Sequence, residues 1–79
     1  MNSGQFIEEA ALAAIAKQYR EAAGKSRAEA ARELGISRPT VFQAEQDPKA
    51  SLFKVRKRII ERYSTHILHG PVYWLEPKS

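Results

Sequence analysis

Three neighbouring side chains in the segment from residue 38 to residue 46 could read the edges of nucleic-acid bases. Arg38 presents a fork of N–H donors that fits guanine or a phosphate, and the Gln43 carboxamide fits the donor–acceptor pair of adenine. Phe42 offers no hydrogen bond, but its ring can touch a thymine methyl group. These residue types at this spacing indicate base recognition, provided that one element turns all three the same way.

Residues suited to other chemistry are few. The chain has no cysteine, which excludes disulfides and thiolate metal sites. His66 and His69 form an H-x-x-H pair, but the neighbouring sequence supplies no further ligand, so we expect no metal site. There is no glycine-rich phosphate loop and no convincing acid pair. We therefore expect neither an enzyme nor a bound cofactor.

The distribution of charge narrows the class of partner. The 79 residues suffice for one domain and carry a net charge of +4, and residues 17 to 62 hold 12 lysines and arginines against 6 acidic residues. This balance favours a polyanion, most often nucleic acid, with an acidic membrane surface as the lesser option. No apolar run is long enough to span a bilayer, and no signal-peptide core is present. We expect a cytoplasmic protein.

The elements that must position these side chains are predicted to be helices. From Gln5 to Ala23, apolar residues recur at helical spacing among many alanines, which predicts one long helix that Gly24 ends. Ser26 and Glu29 form a capping box for a second, short helix. Gly35 is expected to end that helix with a positive φ.

Two further helices follow in the prediction. The third runs from Ser37, its N-cap, to about Gln46, where the following Asp-Pro pair breaks it. Pro39 falls in its first turn, where no intrahelical amide bond is needed. Ser51 is predicted to cap a fourth helix. Its basic residues surround the helix, so most are expected to face solvent and one or two to contact phosphate. These residues are Lys54, Arg56, Lys57, Arg58 and Arg62.

Two short helices joined through a glycine in a basic chain indicate a helix-turn-helix. Ala31 is small enough for a helix crossing, Gly35 follows four residues later, and Ile36 and Val41 can lock the second helix onto the first. The stretch YREAAGKSRAEAARELGISRPTVFQAEQ, followed by SLFKVRKRIIERY, resembles the phage-repressor and Cro type of helix-turn-helix domain, the Xre family, over residues 12 to 63. The resemblance implies an all-α fold, a compact four- to five-helix repressor-like bundle with a short C-terminal extended or β segment.

The resemblance also implies particular contacts. In such domains an arginine of the first helix and a glutamate of the third commonly form an ion pair, which here would join Arg20 to Glu45. The third helix would lie in the major groove. Three positions depart from the usual pattern: Arg27 replaces a glutamine, Ala44 replaces a larger apolar residue, and Asp47 replaces a glycine. The last two leave the packing of the third helix's end open.

The third helix is expected to bury Val41, Ala44 and Glu45 and to present its opposite face to DNA. Arg27 is expected at the DNA backbone, because the N-terminus of a helix favours phosphate. Phe42 has a second interpretation, in which its ring fills the core beside Ala44. The residues predicted to contact DNA are Arg27, Ser37, Arg38, Pro39, Thr40, Phe42, Gln43, Gln46 and Lys49, with Lys25 and Ser51 as further phosphate candidates.

The chain divides into a helical domain, residues 1–64, and a C-terminal tail, residues 65–79, which is too apolar for a free end. The tail could fold back on its own helices, with Trp74 closing a small core. Alternatively it could pair with the same strand of a second copy, an arrangement that small Cro-like proteins resemble. In that homodimer the contacts are expected from Val72, Tyr73, Trp74 and Leu75.

These observations predict sequence-specific binding of double-stranded DNA by a small bacterial or phage transcriptional regulator. Repression by occlusion is expected, because the chain leaves no room for an effector or activation domain. One alternative is an antitoxin that also binds DNA and grips a toxin with its tail or with the Phe6–Leu12 stretch. Another is a helical protein-interaction module without a DNA role. A shared face for Arg27, Arg38 and Lys49 beside the third helix would favour DNA.

Overall fold

The computed structural model describes residues 6–70 and 73–78. Strand β1 (Phe6–Ile7) and a 3₁₀ turn (Glu9–Ala11) precede four α-helices, α1 (Leu12–Ala22), α2 (Arg27–Leu34), α3 (Arg38–Gln46) and α4 (Phe53–Tyr63). Strands β2 (His66–His69) and β3 (Tyr73–Pro77) follow. The predicted helical bundle with a C-terminal β segment is confirmed. No helix in the described part of the chain is both long and apolar enough to cross a membrane.

The first helix is shorter than predicted. α1 begins at Leu12, and Gln5, the expected start, lies outside the described residues. β1 occupies the beginning of the stretch and pairs antiparallel with Tyr73 and Trp74 of β3. The long-helix prediction was wrong because helix propensity is local, whereas the aromatic and β-branched residues of β1 find a strand partner late in the chain.

α2 and α3 begin at the predicted caps. The Ser26 hydroxyl accepts a hydrogen bond from the Glu29 amide at 3.0 Å, and the Glu29 carboxylate accepts from the Ser26 amide at 2.9 Å. Gly35 ends α2 with φ +68°, a conformation that few other residues adopt without strain. Ser37 Oγ then accepts from the Thr40 amide at 3.2 Å and caps α3. The predicted capping box, turn and cap are confirmed.

The core lies where α1 and α4 pack together and the alanines of α2 and α3 allow the helices to approach closely. Leu12 is fully buried there, although it ends the stretch that the antitoxin alternative assigned to a toxin. Two leucines of the tail complete the core, so the tail folds back on its own helices. The buried cluster consists of Leu12, Ala16, Ala31, Leu34, Val41, Ala44, Ile59, Ile60, Leu68 and Leu75.

α4 does not begin with the predicted serine cap. Its N-cap is Leu52, which makes no side-chain cap bond, and its first helical hydrogen bond runs from the Arg56 amide to the Leu52 carbonyl at 3.0 Å. The Leu52 amide in turn bonds to the Ala50 carbonyl at 2.9 Å and closes a tight turn. The prediction for Ser51 was wrong because Leu52 packs against the core and sets the entry of the helix.

Arg56 is an exception among the basic residues of α4, most of which were expected to face solvent, because its side chain is fully buried. Its guanidinium donates to the carbonyls of Ala44 at 2.8 Å, Asp47 at 2.6 Å and Ala50 at 2.8 Å. These oxygens lie at and beyond the end of α3, where a helix leaves acceptors unsatisfied. Arg56 therefore caps the C-terminus of α3. In this chain Asp47 stands at the position where related domains usually have a glycine.

The three strands form an antiparallel sheet in the order β1-β3-β2, so β3 is central. Leu68 of β2 pairs with Leu75 of β3, and both are buried against the helices. At the outer edge of β2, the Glu61 carboxylate accepts from the Leu68 amide at 3.0 Å, and the Lys57 ammonium donates to the Leu68 carbonyl at 2.8 Å. These two side chains of α4 occupy backbone groups that an added strand would need.

Of the four residues predicted to form the dimer contact, the three that the structure describes make contacts within their own chain. Val72 lies outside the described residues. The Tyr73 ring packs against α4, the Trp74 ring stacks on His69 at 4.2 Å between centroids, and Leu75 is buried in the core of its own chain. Strand-to-strand pairing with a second copy is unavailable at Trp74, because this residue already has ladder partners in β1 and β2.

Candidate nucleic-acid interface

α3 separates an exposed polar face from a buried one, as expected. Five of its residues are exposed, namely Arg38, Pro39, Phe42, Gln43 and Gln46, whereas Val41, Ala44 and Glu45 are buried. Pro39 lies in the first turn. Thr40 is half-buried, and its hydroxyl shares a 2.7 Å hydrogen bond with the Ser37 hydroxyl, so both serve the start of the helix. The helix can therefore present Arg38 and Gln43 to a single partner.

A buried carboxylate holds three helices together behind this face. Glu45 of α3 accepts from Arg20 of α1 through two bonds, Nε–Oε2 at 2.6 Å and Nη2–Oε1 at 2.9 Å. This hydrogen bonding raises the pKa of Arg20. Arg27, the first residue of α2, adds a third bond from its Nε to Oε1 at 2.9 Å. The expected Arg20–Glu45 pair is thus present and includes a second arginine, which fixes how α3 sits on α1 and α2.

Arg27 also covers the exposed ring of α3. Its guanidinium carbon lies 4.8 Å from the centroid of Phe42, which is cation–π distance. Phe42 is 52% exposed, so of the two orientations left open by the sequence, the structure has the outward one. Among the described residues, no acceptor is bonded to the two Nη groups of Arg27, so their donors are free for a ligand.

A cleft of about 980 Å³ opens beside this stack, where the end of α1 meets the starts of α2 and α3. Four cationic side chains and one acidic side chain line it. The N-terminus of α2 borders the cleft, and free amides there favour an anion such as phosphate. The lining consists of Lys17, Arg20, Glu21, Ser26, Arg27, Ala28, Arg38, Pro39 and Phe42.

The other two lysines that were predicted to contact phosphate do not line this cleft. Lys49 is exposed in the turn after α3, where its amide bonds to Asp47 Oδ1 at 3.2 Å. Lys25 pairs with Glu33 at 2.9 Å. Lys17, which lines the cleft, was missed by the sequence reasoning, although it lies three residues before Arg20 and hence on the same face of a helix.

A second polar cluster joins α2 to α4. The Tyr63 hydroxyl donates to Glu33 Oε1 at 2.6 Å. Burial of Tyr63, together with this hydrogen bond, raises its pKa to about 12, and the same bond lowers the pKa of Glu33. No group of three or more His, Cys, Asp or Glu side chains in residues 6–70 and 73–78 could hold a metal ion.

Comparison with protein families gives one match. A family model described as Helix-turn-helix matches residues 17–57, which is just over half of the chain. The match extends from the second half of α1 into α4 and includes Arg20, Arg27, Glu45 and the whole of α2 and α3. Comparison with curated proteins and with solved structures gave no match.

Proposed function

Because the chain belongs to the helix-turn-helix family of the phage-repressor and Cro type, we propose that it is a transcriptional repressor that binds a symmetric DNA operator as a homodimer. Sequence-specific DNA binding follows from the family. The repressor role, the homodimer and the contact residues are our proposals. Repression would result from occlusion, because a protein seated on an operator blocks other proteins from the same DNA.

The observation that carries the proposal is the exposed face of α3. This face combines a guanidinium, two carboxamides and a ring, and the buried Glu45 cluster fixes its direction. In the major groove, Gln43 would bond bidentately to adenine, and Arg38 would bond to guanine or a phosphate. Gln46, one turn nearer the end of α3, would extend the contact along the groove.

The cleft would position this helix by gripping the DNA backbone. Arg27 has free Nη donors beside the N-terminus of α2, and Lys17 lines the same cleft. Lys49 would bond to the backbone at the other end of α3. Phosphate contacts of this kind make affinity fall steeply with salt while carrying no sequence information.

The outer face of the sheet is the surface that we propose for self-association. Since Leu68 and Leu75 face the core, strand alternation turns Ile67, His69 and Trp74 away from it. One α3 reads only a few base pairs, and a two-fold dimer would read two half-sites. Folding of the tail on its own helices is compatible with this contact, because the two interactions use opposite faces of the sheet.

Selection of binders from random duplexes at two salt concentrations tests the proposal. We expect a palindromic consensus that persists at the higher salt. Gln43→Ala should relax the preference at one position per half-site by about 1–3 kcal/mol. Gln18→Ala is the matched control, because it truncates another exposed helical glutamine and should leave the consensus unchanged. Binding without preference, or none, would overturn the proposal.

A further inference from the structure

Among the described residues, Phe42 is the large apolar side chain that is exposed to solvent. Exposed phenylalanine is unfavourable in water, and this one lies between Arg38 and Gln43 on the face proposed to enter DNA. The ring does not fill the core beside Ala44, because Phe42 is exposed whereas Ala44 is fully buried. The ring is therefore available for an apolar group of a ligand.

The ring is held rather than free. The guanidinium of Arg27 covers one of its faces at 4.8 Å. Arg27 is itself fixed by its Nε bond to Glu45, whose side chain is completely buried and also bonded to Arg20. A chain of contacts thus runs from a buried carboxylate through Arg27 to Phe42. The Phe42 side chain nevertheless remains 52% exposed.

The chemistry of the major groove identifies the group that fits this ring. Base edges there carry hydrogen-bond donors and acceptors, and the apolar group among them is the 5-methyl of thymine. 5-Methylcytosine carries the same methyl at the same place. A ring without polar atoms gains from burying this methyl and gains less from a pyrimidine that lacks it.

On the proposed DNA-binding function, we propose that Arg27 and Phe42 form one specificity-determining unit that selects a 5-methylpyrimidine. Phe42 contacts the methyl group. Arg27 is a positioning residue for the ring, and its free Nη groups bond to the flanking phosphate. Methyl selection therefore depends on Arg27, although Arg27 does not touch the methyl.

A thymine-to-deoxyuridine scan of the selected operator tests this unit, because each replacement removes one methyl group and keeps every hydrogen bond. We expect one thymine per half-site whose replacement weakens binding of the wild-type protein about fourfold. This factor corresponds to the free energy gained when one methyl-sized apolar group is buried. Phe42→Ala should bind the thymine and deoxyuridine duplexes equally. Circular dichroism should show a folded variant, since Phe42 is exposed.

Arg27→Lys tests the positioning role with the charge retained. A lysine ammonium cannot both bond to Glu45 and lie flat on the Phe42 ring as a guanidinium does. The fourfold preference for thymine over deoxyuridine should therefore shrink, while the affinity should still fall with salt. Arg32→Lys is the matched control, because Arg32 is an exposed residue of the same helix, and it should keep the full preference.

The outcomes separate this inference from the function on which it rests. An operator that binds tightly but tolerates deoxyuridine at every position would overturn the inference and leave the function intact. Persistence of the preference in Phe42→Ala would do the same, and an undiminished preference in Arg27→Lys would remove Arg27 from the unit. Failure to select any duplex would overturn both.

Discussion

The Glu45 carboxylate of α3 joins three helices, because it bonds to one arginine from α1 and to another from α2. Arg20 is 5% exposed, so loss of its partner would leave a buried charge unpaired. We expect Glu45→Gln to lower the free energy of unfolding by about 3–5 kcal/mol, measured by urea denaturation.

Glu21→Gln is the control for Glu45→Gln at the same arginine. Glu21 lies 3.9 Å from Arg20, but its side chain is 57% exposed, and exposed ion pairs contribute less than about 1 kcal/mol. Similar losses in the two variants would contradict the structural role assigned to Glu45.

The Tyr63–Glu33 hydrogen bond predicts a loss of stability in alkali. Burial of Tyr63 and its bond to Glu33 raise its pKa from 10.0 to about 12, so this stabilisation is complete below about pH 10 and is lost as the pH rises toward 12. In urea denaturation across this range, Tyr63→Phe should lose less stability than the wild type. Parallel pH profiles for the two proteins would contradict the prediction.

Glu33→Gln provides an independent check of the same contact. The change removes the negative acceptor but keeps the phenol, so the phenolate of Tyr63 should form at lower pH than in the wild type. Ultraviolet absorbance, taken as a difference from Tyr63→Phe, follows that residue alone. An unchanged titration midpoint would show that Glu33 does not stabilise the neutral phenol.

Among the elements, α4 determines how the helix-turn-helix ends. Arg56 donates to three carbonyls at the end of α3, and Arg58 donates to the Leu34 carbonyl at the end of α2. Both cations lie where helix dipoles favour positive charge. α4 thus holds both helices of the motif by their C-termini, and this compensates for the missing glycine at Asp47.

Arg56→Met should therefore destabilise the whole chain, because it removes the three hydrogen bonds of a buried guanidinium while keeping the side-chain length. We expect a loss of about 3 kcal/mol in the free energy of unfolding. Arg62→Met makes the same change at an exposed arginine of α4 and should cost far less. An equal cost for both variants would contradict the capping role of Arg56.

The sequence could predict those helices whose ends are fixed by capping and turn residues close by in the chain. The Ser26 and Ser37 caps and the Gly35 turn are set by residues within a few positions, so α2, α3 and the exposed face of α3 could be predicted. β1 depends on a strand late in the chain, and the burial of Arg56 depends on backbone carbonyls of the preceding helix and turn, neither of which periodicity reveals. Arg27 was expected at DNA, but its bond to Glu45 and its stacking on Phe42 required the folded geometry.

At the scale of the whole molecule, the stacked rings of His69 and Trp74 lie on the face of the sheet opposite the core. We expect sedimentation equilibrium to give twice the 8.9 kDa mass of one chain. Trp74→Ala should shift the equilibrium toward the monomer, because the ring lies on the outer face of the sheet. Phe42→Ala removes a ring from α3 rather than from the sheet and should leave the dimer intact. A wild-type protein of monomer mass would contradict the proposed homodimer.

The central claim is that the exposed face of α3 is the surface that meets DNA. The direct test is to titrate the isotope-labelled protein with its selected duplex and to monitor the shifts of the backbone amide signals by nuclear magnetic resonance. We expect little change along β2 and the largest shifts at the start of α2 and at four residues of α3: Arg38, Phe42, Gln43 and Gln46. Shifts centred on the sheet or on α4, with α3 unaffected, would contradict it.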